Sequence, residues 1–379
     1  MRADEEEVLL RGPTPAGPDD PGRPVDEGDP EDPDRPGPRR RMSDRRKALV
    51  GLAVLLVLLV VGGAVGLQVM TNRVLDDVER IPDVFAPIDE ATRPQKPAGT
   101  EKTLNFLLVG VDTRAEEQTT GSEGDGQVFV PGRQRSDVIM IVHISADRKV
   151  ASVVSLPRDS WVTIPGRGKN KINAAYSLGG GSLLVQTVER LTGLRMDHFA
   201  VVDFAGFKDI TDAVGGIDVR IAAATGDNRG SFPAGVNHLD GDQALVYVRQ
   251  RYNLPGGDLD RVRRQQNVLK ALMAKAGSLG LSNPARALSF ADSAARAVSV
   301  DDSLKNGDMR SLALSLRNLR PPSVTFLTAP VTGLGQEGRQ SVVRLDTARA
   351  PELWKAVAAD DVAGYVRAHP DDALSANPR

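Results

Sequence analysis

Hydrophobic residues follow different patterns in different parts of the chain. One uninterrupted apolar run covers residues 48–70, and shorter apolar runs recur after residue 100. The short runs predict buried strands at Leu104 to Val109, Val138 to Ile144, Val150 to Leu156, Phe199 to Val202, Ile217 to Ile221 and Val324 to Leu327. Helical spacing predicts helices at Asn173 to Leu178, Ser182 to Leu191, Phe204 to Val214 and Asp258 to Ala276. Alternating strands and helices indicate an α/β domain whose helices cover a sheet.

The long apolar run predicts a transmembrane helix. As a helix it would span about 35 Å, against a hydrocarbon core of about 30 Å. A cleaved signal peptide is the alternative, but the run is too long for one and begins far from the N-terminus. Basic residues crowd its N-terminal flank: Arg39, Arg40, Arg41, Arg45, Arg46 and Lys47. The positive-inside rule therefore predicts a single-pass type II protein of the cell membrane, with everything after Met70 outside the cytoplasm.

Composition divides the rest of the chain. Residues 1–47 are rich in Pro, Gly, Asp, Glu and Arg and poor in large apolar residues, which predicts a disordered cytoplasmic tail. Residues 71–100 contain several prolines and predict an extracytoplasmic linker. We expect one folded domain over residues 101–360, with a mobile Gly-rich loop from Glu116 to Gln134, and a polar C-terminal tail over 361–379.

Amino-acid usage excludes several kinds of site. The chain has no cysteine, so it has no disulfide, thiolate zinc site or cysteine nucleophile. Its formal net charge of -2 and the lack of a general basic footprint argue against nucleic acid as a partner. The four histidines are scattered, without an i,i+4 pair or a visible carboxylate partner, so we expect neither a metal nor a triad role for them.

Charged residues cluster where predicted strands begin and end. Asp112 and Arg114 directly follow the strand NFLLVG, a position where α/β sheets commonly bind ligands. Arg135 and Asp137 precede the strand VIMIVHI, and Arg158 and Asp159 follow the next strand. If those two strands are antiparallel neighbours, Asp137 and Arg158 return to the same sheet edge. Surface or structural ion pairs are the alternative explanation for each cluster.

A third cluster lies in VRQRYNLPGGDLDRVRRQQ. Arg249 and Arg251 share one side of an extended segment, because they are two residues apart. Asp258, Arg261 and Gln265 share one stripe of a helix. A solvated charged face would give the same stripe, but basic residues concentrated around a tight turn favour an anion site.

These clusters together suit a phosphate ester. The planar guanidinium group of arginine binds phosphate oxygens bidentately, and carboxylates such as Asp112 and Asp137 suit Mg²⁺. That combination is typical of phosphoryl transfer, in which positioning and charge neutralisation supply most of the catalysis.

The motifs also resemble a known family. NFLLVGVDTR, RSDVIMIVHI, VVSLPRDSWV, KINAAYSLGG, VVDFAGFKDITDAVGGIDV, LDGDQALVYVRQRY and GDLDRVRRQQNVLKAL occur in the order found in the LytR-CpsA-Psr family of wall-polymer ligases. The resemblance covers residues 104–272. It implies a three-layer α/β/α core with a central mixed sheet and a long apolar groove for a polyprenyl lipid. The segment between Arg114 and Arg135 departs from the shared pattern.

The resemblance also implies roles for single residues. Asp112 and Asp137 would hold Mg²⁺. The pyrophosphate would be bound by Arg114, Arg135, Arg158, Arg249, Arg251 and Arg261. Asp258 and Gln265 would orient these arginines. Arg158, Arg249 and Arg251 would also act in catalysis, and the general base stays open, with Asp159 as a candidate.

The implied function is a Mg²⁺-dependent phosphotransferase. It would move a phosphate-linked glycopolymer from a polyprenyl pyrophosphate carrier to the 6-hydroxyl of N-acetylmuramic acid in peptidoglycan. Two alternatives are a polyprenyl pyrophosphate hydrolase and a non-catalytic receptor for the lipid-linked polymer. A transcriptional regulator is disfavoured, because the only part expected in the cytoplasm is an acidic tail. The residues do not identify the polymer.

Overall fold

The computed structural model describes residues 73–375, except 113–118, 122–128, 133, 251–255, 280–283, 317–318 and 320. The expected cytoplasmic tail and transmembrane helix lie outside these residues and stay predictions. Within the described part, none of the helices has the length and apolar character needed to cross a membrane.

A mixed sheet of seven strands forms the centre of the domain. Numbered in chain order, its strands are β1 (Glu79–Ile81), β2 (Leu104–Asp112), β3 (Arg135–Ile144), β4 (Ala151–Ser155), β7 (His198–Asp203), β12 (Val298–Asp301) and β13 (Val324–Thr328). Their order across the sheet is β1-β12-β7-β2-β3-β4-β13. The β2–β3, β3–β4 and β7–β12 pairs are antiparallel, and the β2–β7, β4–β13 and β1–β12 pairs are parallel. The central mixed sheet that the family resemblance implies is therefore present.

Eight further strands form four small two-stranded sheets in the described chain. They are β5 (Trp161–Ile164) with β6 (Gly168–Lys171), β8 (Ile217–Ile221) with β11 (Gly235–Leu239), β9 (Thr225–Asp227) with β10 (Gly230–Phe232), and β14 (Val331–Glu337) with β15 (Gln340–Leu345). The α-helices are α1 (Asn173–Thr192), α2 (Phe204–Ala213), α3 (Gly241–Arg249), α4 (Asp258–Leu279), α5 (Pro284–Ala297), α6 (Asn306–Ser315), α7 (Arg349–Ala358) and α8 (Val362–Ala368). Every strand and helix that the sequence predicts within the described residues is confirmed, with ends shifted by a few residues, and the helices predicted at 173–178 and 182–191 form the two halves of the single helix α1.

Side-chain alternation along β2 gives the sheet two different faces. Leu107 and Val109 are fully buried on the face that α1, α7 and α8 cover. Leu104, Phe106 and Leu108 point to the opposite face, beside α4 and α6, and are only half-buried. Burying a large apolar side chain contributes about 1.5–3 kcal/mol, so the first face stabilises the fold more strongly. The second face leaves apolar surface partly uncovered.

Helix α1 contains a kink where the sequence predicted a break between two helices. Gly179 and Gly180 have non-helical backbone angles, and Gly180 has φ 63° and ψ -156°. That combination is essentially restricted to glycine. A Cβ at Gly180 would also lie 3.0 Å from the Phe129 ring. The Gly-rich segment is therefore a turn between the two halves of α1.

The folded domain extends beyond both boundaries expected from the sequence. Glu79–Ile81, expected in the linker, pairs with β12, and Val84 and Ile88 pack into the main core. The Arg93 guanidinium donates a 2.7 Å hydrogen bond to the buried carboxylate of Glu189. The prolines of this segment suggested a spacer. A three-residue edge strand leaves no periodic pattern, so β1 could not be recognised from the sequence.

The C-terminal boundary is also later than expected. Helix α8 lies within the expected tail, and Tyr365 packs into the main core. Ala373 forms a bridge with Leu327 of β13. Only a few apolar residues anchor this polar segment, so its composition concealed its attachment.

Candidate active site

One cavity of about 830 Å³ collects the charged clusters that the sequence singled out. Of those residues, it is lined by Asp112, Arg135, Asp137, Arg158, Asp159, Arg249, Arg261 and Gln265. They come from the end of β2, the start of β3, the turn after β4, the end of α3 and the first turns of α4. The fold thus brings together residues far apart in the chain at one edge of the sheet.

A β-bulge directs Asp137 into the cavity. Gly110 lies opposite Val138 and Val111 lies opposite Ser136, so Asp137 is the extra residue in β3. A bulge of this kind changes the direction of a side chain at the end of a strand. Gly110 permits the close approach, because a Cβ there would lie 2.9 Å from that of Val138.

Arg158 is the centre of an ion-pair network. It donates a hydrogen bond to Asp137, and its Nε lies 3.9 Å from Asp159 Oδ2 and 4.0 Å from Asp258 Oδ1. Because β3 and β4 are antiparallel, Asp137 and Arg158 meet at one edge. The Arg158 side chain is only 11% exposed, so solvent screens its ion pairs weakly. The network fixes the guanidinium at the cavity surface.

The start of α4 contributes a second arginine and its partner. Arg261 forms an ion pair with Asp258 and is 3% exposed. Asp258 does not line the cavity itself and contacts both Arg158 and Arg261 from one side. Its carboxylate therefore links the two arginines, while Gln265 reaches the cavity one helical turn further along.

Arg249 lies on the other side of the cavity. Its Nη2 is 3.5 Å from Asp112 Oδ2, and its guanidinium carbon is 4.7 Å from the centre of the Phe204 ring. With 41% of its side chain exposed, Arg249 is the most accessible of the arginines in these cavity ion pairs. The contact with the Phe204 ring supports its guanidinium group at the cavity surface.

Gln250, next to Arg249, is held by a buried arginine. Arg264 donates hydrogen bonds to Gln250 Oε1 and to Thr225 Oγ1, the latter 2.8 Å long. Its guanidinium carbon lies 4.8 Å from the Tyr247 ring centre, and burial lowers the pKa of Arg264. Gln250 and Arg264 are both fully buried. This anchor determines the direction in which the chain leaves α3.

Two residues named in the sequence analysis lie outside the described chain. Arg114 belongs to residues 113–118 and Arg251 to residues 251–255. Their assignment to the pyrophosphate site stays a prediction.

Several cavity residues were missed from the sequence. They are Asn170, Lys171, Asn173, Ser177, Arg229 and Gln340, among others. Lys171 and Asn173 lie in the motif KINAAYSL, so the motif itself was the signal. Arg229 and Gln340 come from small hairpins whose sequences give no indication of what they approach.

The cavity has an excess of positive charge. Six basic side chains line it, against the three carboxylates of Asp112, Asp137 and Asp159. Lys171 Nζ lies 3.3 Å from Asp159 Oδ1, and Arg229 pairs with Asp227 outside the cavity lining. Such a surface attracts a multiply charged anion.

Asp112 and Asp137 are the residues that could hold a magnesium ion. No group of three or more His, Asp or Glu side chains suited to a metal exists among the described residues. Mg²⁺ does not require one, since it commonly takes one or two carboxylates and completes its shell with water and phosphate oxygens. The two aspartates fit that partial donor set, and each also contacts an arginine.

Each histidine has a carboxylate partner that the sequence did not reveal. His143 contacts Asp360 at 3.0 Å, His198 contacts Asp301 at 3.2 Å, His238 contacts Asp218 at 2.8 Å and His369 contacts Glu352 at 3.0 Å. These partners were not visible in the sequence, because two of the pairs join residues more than 100 positions apart and the other two join residues 17 and 20 positions apart. None of these histidines lines the cavity.

Curated relatives of this chain act in cell-wall assembly. Over 278 residues it is 36% identical to the cell wall biosynthesis protein LcpA of Corynebacterium glutamicum, covering 64% of this chain and 53% of LcpA. It is 32% identical over 277 residues to the polyisoprenyl-teichoic acid–peptidoglycan teichoic acid transferase TagU of Enterococcus faecalis, covering 71% of this chain and 82% of TagU. The chain thus spans about half the length of LcpA.

Solved structures share the fold. TagV of Bacillus subtilis superposes with a TM-score of 0.56 at 28% identity, covering 69% of this chain and 98% of TagV. TagT bound to LI-WTA superposes with a TM-score of 0.54 at 25% identity, covering 72% of this chain and 96% of TagT. The sequence profile of the LytR_cpsA_psr family matches residues 85–359. The protein therefore belongs to the LytR-CpsA-Psr family.

Proposed function

We propose that this protein transfers a phosphate-linked glycopolymer from a polyprenyl pyrophosphate carrier to peptidoglycan. The observation that carries the proposal is the cationic cavity at the sheet edge, where arginines from five separate parts of the fold line the same cavity as two carboxylates suited to Mg²⁺. TagU, whose name states a transfer of teichoic acid to peptidoglycan, supports the same reaction class. Teichoic acid, other wall polysaccharides and arabinogalactan all remain candidate polymers.

The arginines would bind the pyrophosphate. Arg135, Arg158, Arg249 and Arg261 offer planar guanidinium groups that match phosphate oxygens, and Gln265 adds an uncharged donor. The ion pairs with Asp137 and Asp258 hold Arg158 and Arg261 in place before the substrate arrives. Preorganised charge of this kind stabilises negative charge that develops on the leaving oxygen.

The transfer itself is a displacement at phosphorus. An acceptor sugar hydroxyl attacks the phosphorus next to the glycan, a new oxygen–phosphorus bond forms, and the bond to the bridging oxygen breaks. Polyprenyl phosphate leaves. Asp159, 3.9 Å from Arg158 Nε and 3.3 Å from Lys171 Nζ, is the candidate to accept the hydroxyl proton. Mg²⁺ held by Asp112 and Asp137 would neutralise phosphate charge.

The half-buried face of the sheet is suited to the lipid. Val138 lines the cavity and also belongs to the apolar cluster of that face. Along α4, Arg261 and Gln265 at the cavity are followed at i+4 spacing by Leu269 and Met273, which pack into the same cluster. The helix therefore changes from polar to apolar on one stripe, as a ligand with a charged head and a hydrocarbon chain requires.

We also propose that the domain works on the outer side of the membrane. The apolar run of residues 48–70 and the basic residues before it support a single-pass anchor with the N-terminus inside. Peptidoglycan and the lipid-linked polymer would then meet the cavity outside the cytoplasm.

Arg158→Ala tests the proposal. We expect transfer from a polyprenyl pyrophosphate-linked oligosaccharide to peptidoglycan to fall by about 100-fold or more, because charge stabilisation at the leaving group is lost. Mass spectrometry of the glycan product measures this. Arg190→Ala, on the exposed surface of α1, is the matched control and should retain wild-type transfer.

Other outcomes identify the alternatives. Release of polyprenyl phosphate without any glycan product would indicate a hydrolase, and tight binding of the donor without turnover would indicate a receptor. Removal of divalent metal with a chelator should stop transfer, and added Mg²⁺ should restore it. Full transfer by Arg158→Ala would contradict the assignment of the cavity.

A further inference from the structure

The cavity has two chemically different walls. The arginine wall consists of Arg135, Arg158, Arg249 and Arg261. Uncharged amide side chains also line the cavity, on segments whose backbone is bonded to Arg158, Asp159 and Ser160; we call Asn170, Asn173 and Gln340 the amide wall, beside which Lys171 pairs with Asp159. Amide groups both donate and accept hydrogen bonds, whereas a pyrophosphate only accepts them. The amide wall is therefore suited to a ligand with hydroxyl and acylamino groups.

Backbone contacts hold the amide wall next to Asp159. The Asn173 N–H donates to the Arg158 carbonyl at 3.2 Å, and the Ile172 N–H donates to the Ser160 carbonyl at 2.8 Å. These bonds bring the β5–β6 hairpin, with Asn170, back to the turn that carries Asp159. Asn170 and Asn173 are half-buried, so their positions are set by the fold.

A second hairpin places Gln340 on the same wall. The Val343 N–H donates to the Asp159 carbonyl at 2.9 Å, and Val343 forms a parallel bridge with Ser160. Because the bridge is parallel, the beginning of β15, where Gln340 lies, is directed toward Arg158 and the cavity. Gln340 is exposed at the rim, where an incoming polymer would meet it first.

The amide wall has unused hydrogen-bonding capacity. Asn170 Oδ1 accepts from the backbone N–H of Lys171 at 2.9 Å. Within the described chain, neither its amide N–H groups nor the side chains of Asn173 and Gln340 make a hydrogen bond. These amide groups can therefore form hydrogen bonds with a ligand without first breaking a hydrogen bond within the protein.

We infer that the amide wall is the subsite for the acceptor glycan, an uncharged stretch of polysaccharide that carries hydroxyl and acylamino groups. This inference rests on the proposed transfer reaction. It gives the two substrates separate walls, with the donor diphosphate on the arginines and the acceptor on the amides. The acceptor hydroxyl then lies between them, within reach of Asp159.

The test measures acceptor and donor kinetics separately with the full-length protein in nanodiscs. The acceptor is a defined peptidoglycan oligosaccharide, and the donor is a polyprenyl pyrophosphate-linked oligosaccharide. We expect Gln340→Ala and Asn170→Ala each to raise the KM for the acceptor by about fivefold, the effect of one lost hydrogen bond. The KM for the donor should change by less than about twofold. Gln336→Ala is the matched control, since Gln336 is an exposed glutamine of the same hairpin outside the cavity.

Direct binding separates this inference from the proposed function. Saturation-transfer NMR with the acceptor oligosaccharide alone should show contacts that weaken in Gln340→Ala and not in Gln336→Ala. Wild-type transfer with an unchanged acceptor KM in both cavity variants would overturn the subsite and leave the transferase intact. A rise in donor KM equal to that for the acceptor would also overturn it. A wild-type protein that binds the donor but transfers to no glycan would reject the proposed function and the subsite with it.

Discussion

At the scale of single residues, the arginines of RVRRQQ have different tasks despite their adjacency. Arg261 lines the cavity, Arg263 is 48% exposed and pairs with Asp260, and Arg264 is fully buried. The sequence predicted Arg261 from its stripe with Asp258 and Gln265. It could not predict Arg264, because the partners of Arg264 are distant in the chain. Helical spacing identifies a shared face, but the contacts beneath that face depend on the tertiary fold.

Arg264→Lys tests the anchor of Gln250. Lysine keeps the charge but cannot reach Gln250 and Thr225 with one planar group, so a buried acceptor loses its donor. We expect the free energy of unfolding to fall by about 2 kcal/mol. Binding of a polyprenyl diphosphate should weaken by about tenfold. Arg249 precedes Gln250 in the chain, so a loosened Gln250 would also displace the Arg249 guanidinium from the cavity.

Chemical denaturation and a direct binding assay measure these two effects. Arg263→Lys, the neighbouring exposed arginine, should change stability by less than about 0.5 kcal/mol. Equal effects of the two substitutions would show that Arg264 has no special positioning role.

At the scale of secondary-structure elements, periodicity predicted those that carry strong apolar patterns. The six predicted strands and the helices from 173 to 191, 204 to 214 and 258 to 276 are all present. The missed elements include short ones, such as β1 with three residues and α8 with seven, and longer helices, such as α5 with 14 residues and α7 with ten. An element that contributes only one or two side chains to a core needs no repeating pattern, so its attachment is visible only in the structure.

The contact between His143 and Asp360 attaches the C-terminal helices to the sheet. We expect its contribution to stability to depend on pH. Both ring nitrogens of His143 in β3 face acceptor oxygens, Asn105 Oδ1 at 2.8 Å and Oδ1 of Asp360, between α7 and α8, at 3.0 Å. Burial lowers the pKa of His143, and the Asp360 carboxylate opposes this shift only in part. The more distant Lys96 lowers the pKa and Asp197 raises it, and these two pair with each other at 2.7 Å.

The sign of the effect follows from the lowered pKa. Below about pH 6.5 the unfolded chain binds a proton at this histidine that the folded chain does not, so acid favours unfolding. We expect the unfolding temperature of the wild type to fall relative to that of His143→Gln between about pH 6.5 and 5, and the difference to be constant above about pH 7.5. Calorimetry across this range measures it. A wild type that gains stability over the variant on acidification would mean that the Asp360 ion pair outweighs burial.

At the scale of the whole molecule, the sequence predicted which residues meet but not the full surface they form. Asp112, Asp137 and Arg158 lie at strand ends, and strand ends share an edge once the pairing is known. Gln340 and Arg229 reach the cavity on hairpins outside the central sheet, and no local pattern directs a hairpin toward a site. The arginines at strand and helix ends were therefore predictable from charge, while the places of Gln340 and Arg229 required the tertiary structure.

The orientation of the molecule in the membrane can be tested because the chain has no cysteine. Ser43→Cys places a single thiol in the predicted cytoplasmic tail, and Ser231→Cys places one on the exposed surface of the folded domain. We expect a membrane-impermeant maleimide to label Ser231→Cys in intact cells and Ser43→Cys only after lysis, since the basic flank keeps the N-terminus inside. Gel-shift detection measures the labelling, and the cysteine-free wild type is the blank. The reverse pattern would place the cavity in the cytoplasm, away from peptidoglycan, and a transfer to the wall could not occur there.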